Sequence, residues 1–249
     1  MKNTVNVKEV STGSLHNRRS FLKLSGLAVA GTGLIIAGCS SDDDGGRIKD
    51  ENQLPGVRNG VFDLGGGDIG ILTYAYALEQ LEADFYDKVV NSNTFGSTFN
   101  ADERAVLEDL YYHEVIHREF FKAAISSLVS PERVLPGLDF SYSGVNFGNR
   151  ESVLGTAMAL EDTGVSAYNG AGMYISEASY LLIAGKIVSV EARHASAIRS
   201  ILNPGTADFA GDDIINDDGL EVAQKPSEIV TKVSGLDFIQ TPFTAKYLP

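Results

Sequence analysis

Cysteine is almost absent from this chain of 249 residues, which has one, Cys39. A single thiol cannot form an intrachain disulfide, so a packed core must hold the fold together. Tryptophan is missing altogether. Positive charge is scarce: 20 Lys and Arg stand against 33 Asp and Glu, for a net charge of −13. So acidic a chain is repelled by nucleic acid, which is excluded as a partner. The main body has no apolar run long enough to read as a membrane span. Histidine is rare too, and beyond His16 only His113, His117 and His194 remain. What is present is an ordinary apolar fraction, 43%, enough to bury the core of one large domain or two small ones.

Residues 1–38 read as a signal rather than as part of the fold. Asn17-Arg18-Arg19-Ser20-Phe21-Leu22-Lys23 resembles a twin-arginine export signal, with Asn17 where that pattern opens on Ser or Thr. The apolar, small-residue run from Leu24 to Gly38 is short for a membrane helix and suits a signal's hydrophobic region. It ends in Ile36-Ala37-Gly38-Cys39, similar to a bacterial lipobox, which implies cleavage before Cys39 and lipidation of its thiol. Cleavage would remove Lys2, Lys8, Arg18, Arg19 and Lys23 but only Glu9 among the acids, leaving the mature body still more acidic. Such a body does not adhere to anionic lipid by charge, so a lipid on Cys39 is the expected attachment. Ser40-Ser41-Asp42-Asp43-Asp44 resembles an acidic display tether, or serves as a plain linker. The expected domains are a signal at 1–38, a flexible tether at 39–67, a bundle at 68–202 and a C-terminal extension at 203–249. The expected location is the bacterial cell envelope, anchored on the outer membrane.

The body reads as helical. Asp68 can cap a helix whose stripe Ile71, Leu72, Ala75, Leu78, Leu81 and Phe85 repeats at a helical period to about Val90. Asn100 or Asp102 can cap a second, running to about Ser130. Residues 131–149 lack a period. At up to ~3.3 Å per residue they are long enough to cross a bundle from end to end. A third helix starts near Glu151, Gly170, Gly172 and Ser176 suggest a break, and a fourth runs from about Glu177 to Leu202, where Asn203-Pro204-Gly205 stops it. The order is helix, turn, helix, long crossover, helix, turn, helix. Asp208, Asp212, Asp213, Asp217 and Asp218 fail calcium-loop spacing and read as a solvated loop. A last short helix is expected over about 225–233.

Two motifs carry the chemistry. Glu114-Val115-Ile116-His117 and Glu191-Ala192-Arg193-His194 each place a carboxylate and an imidazole on one helix face, three residues apart. One such motif is common on solvated helices. Two, each preceded by a helix with its own inward Glu, form the pattern by which a four-helix bundle holds two metal ions. An internal repeat supports the pairing. Ala77-Leu78-Glu79 with Tyr86 matches Ala159-Leu160-Glu161 with Tyr168, Tyr following Glu by seven residues in both. The repeat selects Glu79 over Glu82, which is read as lying behind the ligands or on the surface. Tyr86, Tyr168, Tyr111 and Tyr112 are read as core.

With those residues in place, the stretch 68–202 resembles the ferritin-like superfamily, and within it the ferritin-like domain group of exported bacterial and desiccation-related proteins. The resemblance rests on Leu78–Tyr86, the Glu114/His117 run, Ala159–Asp162 and Val190–Ala195. It implies an all-α, ferritin-like four-helix bundle with a long crossover between helices 2 and 3, plus the C-terminal extension. It also implies a di-iron or di-manganese site with Glu79, Glu114, His117, Glu161, Glu191 and His194 as ligands. Either Glu114 and Glu191, or Glu79 and Glu161, would include the bridging carboxylates. Ferroxidase or peroxide-removing chemistry, with a small oxidant as substrate, would follow.

Physical chemistry gives the same expectation. Four carboxylates buried together repel and lose hydration, at a cost of about several kcal/mol per ion, and two divalent cations remove that cost. Mixed oxygen and imidazole ligands suit iron or manganese, and also zinc. Three other readings compete. His113-Glu114-Val115-Ile116-His117 matches the zinc-protease pattern but lacks a third ligand downstream. A binding or structural envelope protein would have its Glu and His facing outward without metal, or would use a metal for stability alone. A closed iron-storing shell sits badly with a lipid anchor.

Overall fold

A computed structural model describes residues 53–249. The expected export signal, Cys39 and residues 39–52 of the expected tether lie outside the described residues. Four long helices form the body: α1 Gly67–Val90, α2 Ala101–Leu128, α3 Arg150–Gly172 and α4 Ala178–Leu202. A fifth, α5 Pro226–Gly235, belongs to the C-terminal extension. The bundle is all-α, with α1 packed along α2 and α3 along α4. Among the described residues no helix is long and apolar enough to cross a membrane.

Local chemistry sets the helix ends. Of the two candidate caps for α2, Asn100 is the one used. Its Oδ1 accepts the N–H groups of Asp102 and Glu103 at 2.9 and 3.0 Å, and Glu103 returns a carboxylate oxygen to the Asn100 N–H at 2.9 Å. The other oxygen of Glu103 accepts Arg150 Nε at 2.7 Å, tying the start of α2 to the start of α3. Those two starts therefore lie at one end of the bundle, and residues 129–149 must return the chain along its full length.

That crossover is packed rather than loose. Leu135, Leu138 and Tyr142 are buried. The Gln80 amide on α1 accepts from Leu138 N at 2.9 Å and donates to Pro136 O at 3.3 Å, and Tyr142 donates to Leu81 O at 3.2 Å.

Four expectations need correction. Asp68 does not cap its own helix, whose N-cap is Gly66. Its carboxylate instead accepts the N–H groups of Ser176 and Glu177, both at 2.8 Å, across the α3–α4 break. The expected tether is structured where it overlaps the described residues. β1 Gly56–Arg58 and β2 Val61–Asp63 form an antiparallel hairpin, and β3 Phe243–Thr244 adds to β2 in parallel. Asn59 and Gly60 both take positive φ in its two-residue turn, the Asn-Gly signature of a hairpin. The buried Asp63 carboxylate accepts from Gly65 N, Thr244 Oγ1 and Lys246 N, so the extension holds this hairpin in place.

The third correction concerns the acidic loop, which is not wholly solvated. Arg199, 2% exposed, bonds Asp213 Oδ1 at 2.8 Å and Asp162 Oδ2 at 2.7 Å. It thereby clamps the extension to α3 and α4. Further along, Gln224 N donates to Ser166 O at 3.1 Å. There a Cβ on Gly170 would fall 1.7 Å from the Gln224 carbonyl oxygen, so only glycine permits the approach. Tyr112, expected in the core, is 49% exposed.

Candidate metal centre

Each long helix contributes to one buried cluster: Glu79 from α1, Glu114 and His117 from α2, Glu161 from α3, Glu191 and His194 from α4. The helical period that packs each apolar stripe inward carries these side chains inward with it. All four carboxylates are 0% exposed, His117 is 9% and His194 3%. The structure thus brings together the six side chains singled out in the sequence.

Their donor atoms form two overlapping sets. Glu79, Glu114, His117 and Glu191 offer atoms within 4.8 Å of one another, and so do Glu114, Glu161, Glu191 and His194. Glu114 and Glu191 belong to both. Each divides its oxygens between the histidines. Glu114 turns Oε2 to His117 Nδ1 at 3.6 Å and Oε1 to His194 Nδ1 at 2.7 Å. Glu191 turns Oε1 to His117 Nδ1 at 2.8 Å and Oε2 to His194 Nδ1 at 3.4 Å. Glu79 and Glu161 each serve one set, at 3.5 Å from His117 and His194 respectively.

These atoms are close without being hydrogen-bonded. Glu79 Oε2, Glu161 Oε2, both oxygens of Glu114 and Glu191, and Nδ1 of both histidines are buried with no hydrogen-bond partner. The separations are those of ion pairs. The atoms converge on shared space instead of on each other. Leaving so many buried polar atoms orphaned is costly, and a cation in each set would satisfy them. The donor set therefore fits a metal.

Protonation follows the same logic. Burial raises the Glu79 carboxyl well above its usual range, against the pull of His117. Burial likewise pushes Glu161 up to about 8, with His194 opposing. Burial also acts on Glu114, but there His117 and His194 outweigh it and hold the group well below the usual range. Burial disfavours the charged imidazoles, yet Glu79 beside His117 and Glu161 beside His194 lift both far above ordinary histidine. Without a cation the cluster balances its charge with protons, which a metal would displace.

Behind the six stand groups whose roles the sequence did not reveal. Tyr168 donates its hydroxyl to Glu79 Oε1, and Tyr86 donates to Glu161 Oε1 at 2.5 Å. Both tyrosines are buried as expected, but each bonds the carboxylate of the other repeat half. The crossed bonds place a pseudo-twofold axis between Glu82–Ala83 and Gly164–Val165. Glu82, three residues after Glu79, and Gly164, three after Glu161, meet at that axis. A Cβ on Gly164 would lie 2.9 Å from Glu82 Oε1, so the Glu82 carboxyl would have to shift to admit a side chain there. Glu82 is not at the surface: it is 3% exposed, and burial raises it well above the usual carboxylate range, with Glu114 and Glu191 adding to the effect.

His113 does not point to the centre either. Its Nδ1 lies 2.9 Å from His194 Nε2, which removes the histidine that a zinc-protease motif would need as its first ligand. Asp162, next to Glu161, is the α3 anchor of Arg199. The only sequence signals for these contacts were the Glu–Tyr spacing and the rarity of histidine.

Comparison with known proteins agrees with this architecture. The family described as "Ferritin-like domain" matches residues 67–204, from the first residue of α1 to just past the end of α4. Among curated proteins no relative matches the chain. Four helices, a long crossover and a buried Glu/His cluster that could hold metal ions coincide with the matched span, and the chain belongs to the ferritin-like domain family.

Proposed function

We propose that the chain is an exported, lipid-anchored ferritin-like protein whose cluster binds two iron or manganese ions and acts on dioxygen or peroxide. One observation carries the metal reading: two donor sets share Glu114 and Glu191, and each adds its own Glu and His. Two sets joined by common carboxylates suit a pair of ions rather than one. When bound, such ions would supply redox and Lewis-acid chemistry toward an oxidant. The chain's own residues have definable tasks around them. Glu114 and Glu191 would span the pair, while Glu79 with His117 and Glu161 with His194 would close the two ends. Tyr168 and Tyr86 hold the outer oxygens of Glu79 and Glu161, leaving one oxygen of each for the centre. The four helices exclude bulk water from all four carboxylates.

Export and anchoring rest on the Arg18-Arg19 signal and on the run ending at Cys39, and they put the protein in the cell envelope, on the outer membrane. Metal analysis of the purified chain tests the central claim. About two ions per chain, lost in a Glu114→Ala/Glu191→Ala double variant, is the expected result. A folded protein that binds neither iron nor manganese after reconstitution would leave only a structural bundle. Cys39→Ser tests the anchor, and it should move the protein from the membrane fraction to the soluble fraction.

A further inference from the structure

The repeat makes the two donor sets nearly equivalent, so a departure from it inside the site has consequences. One lies just behind His194. Its Nδ1 faces the cluster, and its Nε2 meets His113 Nδ1 at 2.9 Å. The two rings are within 9° of parallel with centroids 5.2 Å apart. That separation equals the N···N distance plus the two ring radii, so the rings lie end to end and not face to face. His113 is exposed and precedes Glu114 on α2. In the other half the residue preceding Glu191 is Val190, which has no polar side-chain atom to offer His117.

We infer that His113 is a positioning residue that makes the two ion positions unequal, so that the Glu161/His194 position fills before the Glu79/His117 position. The inference rests on the proposed metal-binding reading. A histidine that gives its Nδ1 lone pair to a cation must carry its proton on Nε2. His113 Nδ1 accepts that proton and leaves its own Nε2–H toward solvent. The contact fixes the ring before any ion arrives, and it keeps the proton on Nε2 when a cation displaces the one on Nδ1. Groups in this place are worth about 10- to 100-fold in metal affinity. His117 receives no such help from Val190.

The test is a Mn²⁺ titration of the full chain, followed by the paramagnetic resonance of the free ion, beside His113→Phe, His113→Gln and Val190→His. The wild type should fill in two unequal steps. His113→Phe should weaken the tighter step about 10- to 100-fold and leave the other within about twofold. His113→Gln, which keeps an acceptor, should restore most of the loss. Val190→His should tighten the weaker step. Nitrogen NMR of the Zn²⁺-loaded, histidine-labelled chain should show His194 bound through Nδ1 and protonated on Nε2. Two equal steps in the wild type, or equal weakening of both steps in His113→Phe at unchanged helicity, would overturn the inference and spare the metal site. Absence of any binding would overturn both.

Discussion

Tyr168 on α3 donates its hydroxyl to Glu79 on α1 and not to Glu161, seven residues earlier on its own helix. Tyr86 makes the reciprocal bond to Glu161. Each half of the repeat therefore holds the outer carboxylate of the other. A hydrogen bond to a charged group contributes about 1.5–3 kcal/mol. Tyr168→Phe should weaken metal binding by about tenfold, chiefly at the Glu79 position, and Tyr86→Phe should do the same at the Glu161 position. Calorimetric titration of each variant resolves the two effects.

The shared and unshared carboxylates should behave differently when removed. Glu114 and Glu191 each serve both donor sets, whereas Glu79 and Glu161 serve one each. Glu114→Ala should leave close to no ion bound, while Glu79→Ala should retain about one ion per chain. Elemental analysis of the dialysed variants gives the ratio directly.

Stability without metal should depend on pH in a stated direction. Glu161 titrates near 8 in the folded chain against an ordinary 4.5. Folding therefore favours its protonated form, and its contribution is full below 4.5 and lost as pH rises toward 8. His117 and His194, raised above 6.5, act in the same sense: their contribution is full below 6.5 and lost as pH rises beyond it. Glu114, depressed below 4.5, acts oppositely and loses its contribution as pH falls. The Tm of the metal-free protein should fall from about pH 5 to about pH 8, and the gap to the metal-loaded protein should widen over that window. Thermal melts of both forms across the range measure it.

Arg199 offers a stability test away from the cluster. Its guanidinium is buried and Asp162 is its largely buried partner, while Asp213 is mostly exposed. Arg199→Ala should destabilise the fold by about 3–5 kcal/mol, because it leaves a buried carboxylate unpaired. Asp213→Ala should cost under about 1 kcal/mol, as a solvent-screened pair does. Urea denaturation separates the two.

Much of this architecture was legible in the sequence because helices are written locally. The stripe from Ile71 to Phe85, the Asn100 cap and the Asn203-Pro204-Gly205 stop need only near neighbours to be read. The six clustered side chains were legible because the repeat states them twice. What was missed depends on which residues meet across the bundle. Nothing near Tyr168 in sequence names Glu79, and nothing near Asp213 names Arg199. The choice of Glu114 and Glu191 as shared carboxylates needed the rotation of all four helices. The hairpin at Asn59-Gly60 is the exception. Its turn signal was present, but the glycines that follow it read as linker.

The strand pairing of β2 with β3 has a mechanical consequence. Residues 61–64 lead directly into α1, and Phe243–Thr244 lie hydrogen-bonded beside them. A pull arriving at Gly56 from the N-terminal side would load this small sheet before it reached α1. The strain would pass sideways into the C-terminal extension, through Asp63 to Thr244 and Lys246, and α1 would keep its register. Load entering the body from its N-terminal side is thus shared with the C-terminal extension before it meets the helix that carries Glu79.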